Sequence, residues 1–161
     1  MKRIFFLLAA VTLSIAAQAY ARGGGEERDV AFRLYSGGHF EKNNSGLTGE
    51  KSFLVFTNQA QFDRIFGFGM VMNSKDVPLP RGTFDNKIVI AAIKRGASIP
   101  QYGDVAVKEE NGVLLVSYTA VEKKMSGGRY NVPLILAVEK GVYGGVVFME
   151  NGERVGVACL R

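Results

Sequence analysis

A chain of 161 residues with a formal charge of +5 is long enough to bury one hydrophobic core. Its single cysteine excludes an intramolecular disulfide, and one histidine with one cysteine cannot supply the three or four nitrogen and sulfur ligands that a zinc site takes. The positive balance is mild and not gathered into one basic segment, so it carries no nucleic-acid footprint.

Residues Met1–Ala21 read as a secretory signal peptide. Lys2 and Arg3 precede an apolar run, Ile4–Ala17, which is shorter than the ~20 residues a spanning helix needs. Ala17-Gln18-Ala19 and Ala19-Tyr20-Ala21 both offer small residues where a signal peptidase reads them. The expectation is an exported protein, periplasmic or extracellular, with no membrane span in the mature chain. Cleavage leaves about 140 residues carrying about +3. Arg22–Asp29 is Gly-rich and charged and reads as a flexible N-terminal segment; residues 30–161 then form a single β-rich domain.

Val30–Tyr35 alternates, Phe32 and Leu34 on one side, Arg33 and Tyr35 on the other, which predicts a half-buried strand broken by Ser36-Gly37-Gly38. Glu41–Glu50, with Asn43, Asn44, Ser45, Gly46 and Gly49, reads as a loop, and Lys51–Phe56 as a second strand. One short helix is expected over 58–66. Asn58 caps it with Gln61 as the return partner of a capping box, Phe62, Ile65 and Phe66 give one apolar face, and Gly67 and Gly69 end it. Phe68–Arg81 is a connection carrying Pro78 and Pro80, with one short strand at Met70–Met72.

Phe84–Lys94 is the stretch around which the rest is laid. Ile88-Val89-Ile90-Ala91-Ala92-Ile93 sits between Lys87 and Lys94 without a polar break, the pattern of a strand buried on both faces. Gly96–Gly103 reads as a turn through Pro100. Asp104–Glu109 and Val113–Val121 flank Asn111-Gly112, a hairpin signal because both turn residues accept positive φ. Glu122–Arg129 is a polar turn, and Val132–Val138 a strand opened by Pro133, where no central ladder bond is lost. Val146–Met149 and Arg154–Ala158 flank a second hairpin turn, Asn151-Gly152.

Turn signals every ~8–12 residues point to a mainly β domain, an antiparallel β-sandwich or partly open barrel with one short α-helix, with α+β as the alternative. The expected core comprises Phe53, Val55, Phe62, Phe66, Ile88, Ile90, Leu115, Leu134, Leu136, Val147 and Val157. Cys159 is expected to be a small buried residue of the last strand.

The layout from Phe84 to Gly152 resembles a known family. A Phe-led central strand, a basic turn at Lys94-Arg95-Gly96, a short strand, an Asn-Gly hairpin and a strand opened by Val132-Pro133 are similar to the domain at the C-terminus of the protease-complex subunit PrcB and to small exported bacterial proteins of like layout. The family's Thr-Gly-Gly-Tyr type turn corresponds here to Ile99-Pro100-Gln101-Tyr102-Gly103, so only Tyr102 and a glycine match. The resemblance implies a non-enzymatic, exported, protein-binding domain, an accessory or modulator of a protease or another exported partner, and it transfers no catalytic residue.

Candidate site residues follow from the turns. Lys94-Arg95 and Lys123-Lys124 are basic pairs in turns. With Arg129 they form a basic rim suited to an acidic partner if the hairpin ends share one side. Ser126-Gly127-Gly128-Arg129-Tyr130 resembles the Ser-Gly-x-x-Tyr loop of exported lysozyme inhibitors, which adds Ser126, Arg129 and Tyr130; Tyr102 comes from the family turn. His39 lies in a Gly-rich turn outside any nucleophile motif, so no catalytic residue, metal or cofactor is expected. A small-ligand or glycan-binding β domain and a hydrolase inhibitor are the competing expectations, and the oligomeric state is open.

Overall fold

The computed structural model describes residues 27–69 and 76–160. The signal peptide expected at 1–21 and the strand expected at Met70–Met72 lie outside those residues. In chain order the elements are β1 (Arg28–Asp29), β2 (Phe32–Leu34), β3 (His39–Glu41), β4 (Lys51–Phe56), α1 (Gln59–Ile65), β5 (Phe66–Phe68), α2 (Thr83–Asn86), β6 (Lys87–Gly96), β7 (Ser98–Glu110), β8 (Val113–Lys124), β9 (Tyr130–Glu139), β10 (Gly145–Glu150) and β11 (Glu153–Cys159). The chain is mainly β. A five-stranded sheet in the order β1-β7-β8-β10-β11 faces a four-stranded sheet in the order β2-β9-β6-β4, and β3 and β5 form a small third sheet.

The central apolar run accounts for this layering. Along β6, Ile88, Ile90 and Ala92 point between the two large sheets, where they meet Leu114, Val116, Leu134, Leu136, Val146 and Phe148. The alternate residues Val89, Ala91 and Ile93 point the other way, onto Phe56, Phe62, Ile65 and Phe66. Strand side chains alternate between faces, so an unbroken run of apolar residues demands cover on both. The second cover is α1 with the β3–β5 pair.

Local chemistry sets α1. Asn58 Oδ1 accepts from Gln61 N at 2.9 Å, as an N-cap should. Gln61 Oε1 accepts from Thr57 N at 3.2 Å, one residue earlier than a capping box requires. The helix stops at Phe66 rather than at Gly67, because Phe66 is already extended and opens β5. Gly67 serves another purpose: a Cβ there would lie 2.5 Å from the Phe40 ring on the neighbouring strand.

Both Asn-Gly hairpins form, with Asn111 and Gly112 at φ 52° and 76°, and Asn151 and Gly152 at 53° and 85°. Several expectations are corrected. Phe84-Asp85-Asn86 is not the head of the central strand but a helical turn entered from Gly82 at φ 82°. Gly96–Gly103 is not a turn. Pro100 and Gly103 sit inside the thirteen-residue β7, whose ladder shifts register between Gly103 and Ala106 with Asp104 at φ 48°. Residues 28 and 29 of the expected flexible segment pair with Glu109 and Lys108.

The large sheet is not wholly antiparallel: β10 runs parallel to β8, because the chain visits the opposite sheet as β9 between them. Pro133 lies within β9 opposite Ile93, yet costs no bond. Ile135 bonds toward β2, donating to Ser36 Oγ at 2.9 Å, and two residues earlier the same edge lies beyond the end of β2.

Two core expectations also change, Leu115 and Val157. Leu114, Val116, Tyr118 and Ala120 are the inward residues of β8, which turns Leu115 to the outer face. Val147 is buried but shares that outer face, paired with Leu115 and with Val157, and Val157 is 47% exposed. Cys159 is exposed, not buried.

Candidate binding surface

One end of the sandwich carries most of the sequence-predicted residues. β8 stays paired with β7 as far as Lys124, but β10 leaves it at Tyr118. The side chain of Asn151 then stands in for a strand residue. Its Oδ1 accepts from Ala120 N at 2.9 Å and its Nδ2 donates to Ala120 O at 3.2 Å. Residues 121–124 project beyond this cap by about 13 Å at the usual strand rise. Val121 is 64% exposed and Met125 41%, and Lys123, Lys124, Ser126 and Arg129 are exposed beside them. Tyr130 is half-buried and starts β9 opposite Gly96.

Lys94 and Arg95 do not form a solvated pair in a turn. They are consecutive residues of β6, so their side chains take opposite faces. Lys94 points between the large sheets, where its Nζ lies 2.9 Å from Glu150 and 2.5 Å from Glu122. Lys51 reaches Glu150 at 3.1 Å, and the Tyr118 hydroxyl donates to it at 3.3 Å. Burial pushes the Glu150 carboxyl up, but the Lys94 and Lys51 hydrogen bonds and charges outweigh it and hold it below the usual carboxylate value. Burial lowers Lys94 less than its two glutamates raise it.

Arg95 points to the other face and is buried. Its Nε and Nη2 donate to the two oxygens of Glu41 at 2.7 and 2.9 Å, its Nη1 donates to Ser52 Oγ at 2.9 Å, and Ser45 Oγ donates to Glu41 at 2.7 Å. This fork-on-fork geometry satisfies both ions, which burial requires.

The pair forms the floor of a cleft of about 290 Å³ walled by Lys42, Asn43, Thr48, Arg129 and Asn131. Lys42 Nζ donates to the carbonyl of Asp63 and Arg129 Nη2 to that of Gly49 at 3.5 Å. Three cations thus surround one carboxylate, and the cleft opens beside the projecting arm with surplus positive charge.

Tyr102 stands apart. It packs edge-on to Tyr118 with ring centroids 5.7 Å apart and donates to Val132 O at 3.0 Å; burial, then the neighbouring Tyr118 and glutamates, push its hydroxyl pKa up. The structure therefore gathers Arg95 and Arg129 at the cleft and Ser126 on the adjacent loop. It places Lys94 on the opposite face of β6 and Tyr102 between the sheets. Lys42, Glu41 and Asn131 were missed. Glu41 meets Arg95 from 54 residues away, and nothing local marks such a pairing.

His39 is not in a flexible turn. It is a buried residue of β3 whose Nδ1 donates to Tyr35 O at 2.6 Å, with its ring edge-on to Phe62 and Phe68. Among the described residues, no helix is long and apolar enough to cross a membrane. Comparison with protein-family models, with curated proteins and with solved structures yields no match.

Proposed function

We propose that this chain is an exported, non-enzymatic protein-binding domain, an accessory or modulator of a protease or another exported partner, and that it engages an acidic segment of that partner through the arm and the cleft beside it. One observation carries the reading: exposed Val121 and Met125 project past the end of β10 among Lys123, Lys124 and Arg129, next to a cleft whose charge is not balanced. Aliphatic side chains ringed by cations offer contact area at the centre and steering at the rim.

The exposed loop at 126–129, which runs into half-buried Tyr130 at the start of β9, also supports the hydrolase-inhibitor reading, in which that loop enters an enzyme's cleft. The test is capture by the tagged mature chain from the exporting cell's periplasm and medium, compared with Lys123→Glu/Lys124→Glu/Arg129→Glu. The expected outcome is a partner retained by the parent, released by salt and lost by the variant. Equal retention by both chains would defeat the proposal.

A further inference from the structure

A second groove lies away from the arm. It wraps the end of β2, with a volume of about 530 Å³. Its floor is Val105 and Leu134, from facing sheets, and its rim holds Leu34 and Val77, each 47% exposed. Round the strand end, the Arg33 guanidinium sits 5.2 Å from the centroid of the Tyr35 ring. Among the described residues no carboxylate makes an ion pair with Arg33. Asp76, also in the lining, is turned against Gly37, where a Cβ would lie 1.8 Å from its Oδ1.

We infer that this groove receives the carboxyl end of a peptide, with an aliphatic last side chain on Val105 and Leu134 and the terminal carboxylate on Arg33. Arg33 selects the anion: a cation stacked on an aromatic face keeps its N–H fork for a carboxylate, while the Asp76 carboxylate occupies the Gly37 side of the same lining. The shape selects a peptide over a fatty acid. The groove is open and half polar, with the Ser36-Gly37 backbone along it, whereas an acyl tail needs an enclosed apolar tunnel. Strand edges near it do not compete, since Pro133 removes a donor from β9 and the shifted ladder at Gly103–Ala106 interrupts β7. The site is independent of the arm. Free carboxyl ends of this kind are what cleavage of a peptide bond supplies.

Fluorescence anisotropy on the mature chain tests it, using a fluorescein-labelled Gly-Ser-Gly-Ala-Leu peptide with a free carboxyl end, its C-terminal amide, and octanoate as competitor. The free acid should bind saturably. Amidation, or Arg33→Gln, should each weaken it about tenfold or more, as expected for a lost charge-assisted bond, and the two together should cost no more than either alone. Leu34→Ser should weaken it while melting like the parent, and Lys123→Glu/Lys124→Glu should leave it unchanged. No saturable binding, equal affinity for the amide, an unaffected Arg33→Gln, loss through the arm variant, or competition by octanoate as strong as by unlabelled peptide would each overturn the assignment.

Discussion

Glu41→Gln isolates the buried pair beneath the cleft. The substitution keeps shape and one acceptor oxygen but removes the counter-charge from the Arg95 guanidinium, whose side chain is 4% exposed, leaving it only neutral partners in the amide oxygen, Ser52 and Gly49. Leaving a buried ion unpaired costs about 3–5 kcal/mol, and the remaining amide acceptor places this case near about 3. For a domain of this size that lowers Tm by roughly 10 °C. Replacing both ions, as Glu41→Leu/Arg95→Met, should restore most of the loss, since apolar residues of similar volume often substitute for a buried pair at little cost.

The pH dependence gives an independent check. Burial raises the Glu41 carboxyl, but the Arg95 and Ser45 hydrogen bonds and the Arg95 charge hold it below the usual 4.5. The stability it contributes is therefore complete above pH 4.5 and drains away as pH falls through the lower folded value. Glu41→Gln should lack that part of the acid slope. Thermal and urea melts at pH 7 and pH 4 measure both effects. A loss under about 1 kcal/mol at pH 7, or a double variant as unstable as the single one, would refute the reasoning.

Gly156→Ala should destabilise by about 1–3 kcal/mol through overpacking, because the new Cβ would lie 2.1 Å from Phe53 Cδ2 and 2.7 Å from its Cγ; a urea melt matching the parent would contradict this. His39 is held below its usual 6.5 by burial, against its backbone hydrogen bonds and the charge of Asp76. The neutral ring's contribution is complete above pH 6.5 and is lost on acidification, so His39→Phe should flatten the stability profile below pH 6.5, and an unchanged profile would argue against it. Cys159 is exposed, so Ellman's reagent should titrate one thiol per chain without denaturant; reaction only after unfolding would show the thiol to be covered.

Legibility tracked how local each signal was. The two Asn-Gly turns, the Asn58 cap and the two-faced central strand each rest on neighbours in sequence, and all four appear in the fold. The parallel β8–β10 pair does not, since it arises from a crossing through the opposite sheet. In β8, Val113–Val116 is apolar at every position, so the run alone does not choose Leu114 or Leu115 for the core. Ser117 and Thr119, alternating with Tyr118 and Ala120, carried the phase. Val157 and Cys159 look like core by composition, but β11 is an edge strand, whose outer residues stay exposed.

The basic rim was half legible. Lys123 and Lys124 are exposed on the arm and Arg129 reaches only the Gly49 carbonyl, whereas Lys94 and Arg95 found carboxylates from distant strands. An isolated charged pair in a sequence does not reveal whether partners wait elsewhere in the fold.

Site-directed photo-crosslinking in the exporting cell tests the central claim most directly, with a benzophenone amino acid at Met125 on the arm and, as control, at Asn111 on the far hairpin. The account predicts one protein adduct from Met125 that is suppressed by Lys123→Glu/Lys124→Glu and absent from Asn111. Adducts of equal yield at both positions, or none at Met125, would contradict it.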